Sequence, residues 1–92
     1  MIKSYKHRGI KNFFVHDDRK FLNSNHIKRL EILLDTLDTA DTIQDMDIPG
    51  AQLHKLKGDR KGTWSVKVSG NWRLTFRFEN GHAYDVNLED YH

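Results

Sequence analysis

The chain has 92 residues, 37% apolar and 30% charged, with 15 Lys/Arg against 13 Asp/Glu and no cysteine. Such a composition suits one globular domain over residues 1–92 and excludes a disordered chain, a disulfide scaffold and a thiolate metal site. No apolar run approaches the ~20 residues of a membrane span, and Met1-Ile2-Lys3-Ser4-Tyr5 lacks a signal-peptide pattern, so a cytoplasmic protein is expected.

Residues 2–5 read as a short first strand. Over residues 6–15, Ile10, Phe13 and Phe14 fall at helical spacing, which predicts an amphipathic helix with basic outer positions. Residues 15–25 form a connector in which Asn23, Ser24 and Asn25 offer N-caps for the next element. That element carries the clearest pattern. Ile27, Leu30, Leu33, Leu34 and Leu37 make one helical stripe that must be buried against a sheet, opposite Lys28, Glu31, Asp35 and Asp38. The pattern dilutes at residues 39–42, and Pro49 with Gly50 marks a turn, so residues 41–50 read as a loop or short helical turn.

From Gln52 onward the period changes to two. Trp64, Val66 and Val68 alternate with Ser65 and Lys67. After a turn at residues 69–71, Trp72, Leu74, Phe76 and Phe78 alternate with Arg73, Thr75 and Arg77. Asn80-Gly81 is a hairpin signal, because both residues tolerate positive φ. Tyr84, Val86 and Leu88 then alternate with Asp85, Asn87 and Glu89. The reading is an α+β fold of order β-α-α-β-β-β-β. Two N-terminal helices pack on one face of a twisted, mainly antiparallel sheet, whose other face carries Lys67, Arg73 and Arg77.

Net charge is only +2, yet charge is segregated along the chain. Residues 1–30 hold eight bases against two acids, and residues 31–49 hold six acids and no base. Residues 50–78 return to seven bases against Asp59 alone. A basic block interleaved with Trp and Phe suits a polyanion such as nucleic acid, with Lys55, Arg60, Lys61, Lys67 and Arg77 as candidate contacts. The same charges on a solvated sheet face would need no ligand. Arg60 and Lys61 lie in a Gly-bounded turn, Gly58-Asp59-Arg60-Lys61-Gly62, whose charges are expected to face solvent. The turn lacks a P-loop pattern, so nucleotide hydrolysis is not expected.

Chemistry concentrates at two places. Asp90-Tyr91-His92 sets a carboxylate, a phenol and an imidazole side by side after a strand. His54 lies among ammonium groups in Leu53-His54-Lys55-Leu56-Lys57. If the two segments meet, they make a site for acid–base chemistry on an anion. Arg73, inside a strand, can grip a phosphate bidentately, and Lys57 can add charge. Six histidines show no metal-ligand spacing, so no metal or other cofactor is expected. His7, His16, His26 and His82 read as surface residues. Ser65 and Ser69 lack the G-x-S-x-G context of an acyl-transfer nucleophile.

Several of these segments together resemble a known family. Leu53-His54-Lys55-Leu56-Lys57-Gly58-Asp59-Arg60, Gly62-Thr63-Trp64-Ser65-Val66, Asn71-Trp72-Arg73-Leu74-Thr75-Phe76 and Asp90-Tyr91-His92 are similar to the HigB toxins of the RelE superfamily. The opening Met1-Ile2-Lys3-Ser4-Tyr5-Lys6-His7 is similar as well. The resemblance implies a RelE-like, microbial-ribonuclease-like fold and an endoribonuclease that cuts mRNA in the ribosomal A site. It implies two partners: the 70S ribosome, and a HigA-like helix-turn-helix antitoxin through which alone operator DNA would be met. It carries His54, Lys57, Arg73, Asp90, Tyr91 and His92 over as the catalytic group. His54 and His92 would be the acid–base pair, their order open. Two readings compete with catalysis: a non-catalytic RNA- or ribosome-binding module, and a regulatory module acting through the antitoxin complex.

Overall fold

The computed structural model describes residues 1–90 and consists of α1 (Arg8–His16), α2 (Ile27–Thr39), β1 (His54–Lys55), β2 (Thr63–Ser69), β3 (Trp72–Glu79) and β4 (His82–Asp90). The strands form one antiparallel sheet in the order β1-β2-β3-β4. Its helix-facing side buries Val66, Val68, Leu74, Phe76 and Val86 against Ile10, Phe13, Leu30, Leu33, Leu34 and Leu37. Each leucine buried in this way contributes roughly 1.5–3 kcal/mol relative to an exposed one. Four of the five stripe positions are buried and Ile27, in the first turn, is half-buried.

Local chemistry sets the helix ends. His7 caps α1, its Nδ1 accepting from the Ile10 N–H at 3.1 Å, and Asp17 closes the helix in a left-handed conformation at φ 55°. A 3₁₀ turn over Ser24–His26 leads into α2, with the Asn23 side chain accepting from the Asn25 N–H at 2.9 Å. Residues 41–50 contain a second 3₁₀ turn, Ile43–Met46, opened by a reciprocal capping box between Thr42 and Asp45. No helix among the described residues is long and apolar enough to cross a membrane.

Within the fold, the structure departs from the sequence reading at residues 2–5, at His26 and at His7. Residues 2–5 do not form a strand proper. They run parallel to β4 through isolated bridges, Ile2 to Ala83 and Tyr5 to Val86. The cause lies in β4: Asp85 takes φ 55° where the β3–β4 register shifts, and its N–H donates to Ser4 Oγ at 2.8 Å, so the ladder between the bridges is broken. His26 is buried rather than on the surface, its ring 5.6 Å from that of Trp72. His7 is likewise engaged as a cap. Both serve packing or backbone satisfaction, which isolated spacing does not reveal.

Candidate active site

Register decides which side chains meet on the sheet face away from the helices. His54 pairs with Ser65 and Ser65 with Thr75, so these residues form one row across β1, β2 and β3. Lys67, Arg73 and Glu89 form the neighbouring row across β2, β3 and β4. Directly opposed residues share a face, because side chains alternate along a strand.

Arg73 is anchored on this face by two neutral groups. Its Nε–H donates to Ser65 Oγ at 2.8 Å and an Nη2–H donates to the Gln52 carbonyl at 2.7 Å. These two donors are one edge of the guanidinium. The opposite pair, one N–H each from Nη1 and Nη2, has no acceptor among the described residues. The anchors are themselves held. Ser65 is fully buried. Gln52 sits at φ 48°, an unusual conformation for a residue with a side chain, and the preceding Ala51 carbonyl accepts from the Lys67 N–H at 2.6 Å. Gln52, Leu53, His54, Ser65 and Arg73 line an open depression of about 350 Å³. An imidazole and a pinned guanidinium therefore share one cleft.

The other predicted residues are distributed around it. Lys57 is exposed and precedes a short 3₁₀ turn, Gly58–Arg60. Lys55 and Lys61 are exposed, and the Lys55 ammonium lies 5.6 Å from the centre of the Trp64 ring. Lys67 is half-buried beside Arg73. Asp90 ends β4 opposite Trp72, which puts its Cβ on the face opposite to Arg73 and Glu89 and at the sheet edge far from β1. Tyr91 and His92 lie outside the described residues.

A sequence profile described as the RelE-like toxin of type II toxin–antitoxin system HigB matches residues 3–92. The Endoribonuclease HigB of Proteus vulgaris is 45% identical over 92 residues, covering 100% of both chains. This chain belongs to the HigB toxins. The Toxin HigB-1 of Vibrio cholerae serotype O1 is 31% identical over 91 residues, 97% of this chain and 96% of that protein. Among solved structures, the YoeB–YefM complex from Staphylococcus aureus superposes with a TM-score of 0.65 at 19% identity, over 100% of this chain and 95% of that one. The YoeB/ParE toxin from Agrobacterium tumefaciens gives 0.53 at 13% identity, with 96% of each chain covered. At those identities the likeness is one of fold, and it agrees with the RelE-like architecture expected from the sequence.

In this HigB chain two of the expected phosphate contacts are already committed to acids. Arg60, expected to face solvent, instead grips Glu89 with both terminal nitrogens, Nη1 to Oε1 at 2.8 Å and Nη2 to Oε2 at 2.5 Å. The reason is tertiary: the Arg60 side chain reaches from the turn between β1 and β2 to a carboxylate on β4, which the spacing of the turn's glycines does not disclose. Arg77 pairs with Asp85 and Glu79, each at 3.0 Å, and lies over the Tyr84 ring. Ser65 is the site contributor that motif reading passed over, and Thr75 and Glu89 lie beside it. Counting outward from the turn at residues 69–71 sets Ser65 and Arg73 on one face, and that count was the available signal.

Proposed function

We propose that this HigB chain is an endoribonuclease that cleaves mRNA in the ribosomal A site by attack of the 2′-OH on the adjacent phosphorus. The observation that carries the reading is the Arg73 guanidinium, fastened along one edge by Ser65 and Gln52 and without an acceptor along the other among the described residues, in the same cleft as His54. A guanidinium fixed in this way offers two parallel N–H groups to two phosphoryl oxygens without first having to be ordered. The 45% identity to a protein named an endoribonuclease supports the same reaction class.

The step balances with the side chains named. One imidazole of the pair His54 and His92 removes the 2′-OH proton as the oxygen bonds to phosphorus, and the other protonates the departing 5′ oxygen. Arg73 and Lys57 stabilise the charge that grows on the phosphoryl oxygens. Asp90, on the other face and far from His54, orients or keeps protonated the imidazole of His92, and Tyr91 donates to phosphate or stacks on a base. The products are a 2′,3′-cyclic phosphate and a 5′-hydroxyl. Lys55, Lys61 and Lys67 attract the polyanion. A HigA-like helix-turn-helix antitoxin binds the toxin and carries any contact with operator DNA, and the protein acts in the cytoplasm as a single domain.

Mapping cleavage ends on an mRNA in a reconstituted translation reaction, with and without ribosomes, tests the proposal. Cuts confined to ribosome-bound message, lost on 2′-deoxy substitution at the scissile nucleotide and in His54→Ala, are expected. Cleavage that survives the deoxy substitution overturns the mechanism. Equal cleavage of free message overturns the ribosomal setting.

A further inference from the structure

Arg73 and Glu89 are direct cross-strand partners on the same face, yet they form no ion pair. Opposite charges in that relation ordinarily attract across the ladder, since their Cβ atoms stand about 5 Å apart. Each is drawn away by other groups. Arg73 leans toward β2, to Ser65 Oγ and the Gln52 carbonyl. Glu89 accepts two hydrogen bonds from Arg60 and a third from Thr75 Oγ1 at 2.5 Å. Its carboxyl is held below the usual range, chiefly by the Arg60 hydrogen bonds, so it stays an anion. An unrestrained anion at this position would compete with phosphate for the open edge of Arg73.

We propose that Arg60 is a positioning residue that, with Thr75, holds Glu89 off Arg73 and so keeps the Arg73 guanidinium available to the scissile phosphate. This inference rests on the nuclease reading above. It gives Arg60 a role that net charge does not suggest: the residue acts on a carboxylate of its own chain, and the RNA feels it through Arg73. The architecture suits the task. Arg60 arrives from the 3₁₀ turn Gly58–Arg60, whose loop is closed by the Leu56 N–H donating to the Thr63 carbonyl at 2.8 Å, so the clamp is delivered by a segment anchored to β2.

The experiment is single-turnover cleavage of ribosome-bound mRNA by the full chain, comparing wild type, Arg60→Ala, Glu89→Gln and the double variant, with a thermal melt of each. Arg60→Ala should lose about tenfold or more in kcat/KM, the scale of one charged hydrogen-bond interaction. Glu89→Gln alone should remain near wild type. Adding Glu89→Gln to Arg60→Ala should restore most of the lost rate with no matching rise in melting temperature. A double variant no faster than Arg60→Ala, or a rescue that only tracks a regained melting temperature, overturns the proposal. A Glu89→Gln variant as slow as Arg60→Ala also overturns it, since Glu89 would then be needed in its own right. Failure of the underlying reading looks different: Arg73→Ala and His54→Ala would then cut as fast as wild type.

Discussion

Replacing Arg73 by lysine isolates what the fork geometry contributes, because the charge is kept. In the structure two of the five guanidinium N–H groups go to Ser65 Oγ and the Gln52 carbonyl, two more lie along the opposite edge, and the fifth, on Nη1, points back beside the Cδ. A lysine ammonium has three donors diverging from one atom. It cannot reach both protein anchors and also present two parallel donors to a phosphate. At least one charged hydrogen bond is lost from the transition state, worth about 1.5–3 kcal/mol, which corresponds to roughly 10–100-fold in rate. Arg73→Ala, which also removes the charge, should fall further. Arg73→Ala leaves the buried Ser65 hydroxyl without that donor, a stability cost of about 1–3 kcal/mol, so each rate is compared well below the variant's own melting temperature. The assay is single-turnover cleavage of ribosome-bound message at saturating toxin, with melting curves as a control for folding. Arg73→Lys cleaving at half the wild-type rate or better would refute the claim that two-point contact, rather than positive charge, is what Arg73 supplies.

Three further outcomes follow from the same structure. Leu33→Ala empties a fully buried site between α2 and the sheet, and should destabilise by about 2–5 kcal/mol, visible as a melting temperature lower by about 10 °C or more. Burial pushes the His7 imidazole below its ordinary 6.5, and the cap needs the Nδ1 lone pair to stay free, so its contribution to stability is present above pH 6.5 and lost as pH falls through the lower folded value. His7→Asn, which keeps a capping acceptor but does not titrate there, should flatten the fall in melting temperature between about pH 7 and 5, and an unchanged slope would count against the cap. Gln52→Gly places the residue that tolerates φ 48° at that position while retaining the carbonyl that Arg73 uses, so urea melts should show a stability equal to wild type or up to about 1 kcal/mol higher. A clear loss of stability would mean that the Gln52 side chain, not its backbone, holds the segment.

Much of the fold was legible because two periods dominate the chain. The leucine stripe through Leu30, Leu33, Leu34 and Leu37 can be read only as a helix with one buried face, and the alternations in β2, β3 and β4 only as strands with one covered side. Asn80-Gly81 is also unambiguous, since both residues adopt positive φ, 52° and 79°, in the β3–β4 hairpin. The first segment was misread for a physical reason. Whether residues 2–5 form a strand depends on β4 offering a continuous edge, and Asp85 interrupts that edge from 81 residues away. Local pattern carries no information about such an interruption.

The site divides along the same line. His54 and Arg73 were selected by residue type and neighbourhood, and the register sets them in one cleft. Counting charges, however, treats every base on the sheet face as equal, and they are not. Arg60 and Arg77 already face carboxylates, so their field on an approaching phosphate is largely cancelled by their partners. Among the described residues Arg73 has two neutral acceptors, a hydroxyl and a carbonyl, which fix its direction without neutralising it. That difference turns on who the partner is, and partners such as Arg60 and Glu89 stand 29 residues apart in sequence. The quantity that ranks the cations of this face is therefore the charge left over after pairing. By that measure Arg73 stands apart from Arg60 and Arg77, while Arg60 matters through the anion it keeps from Arg73.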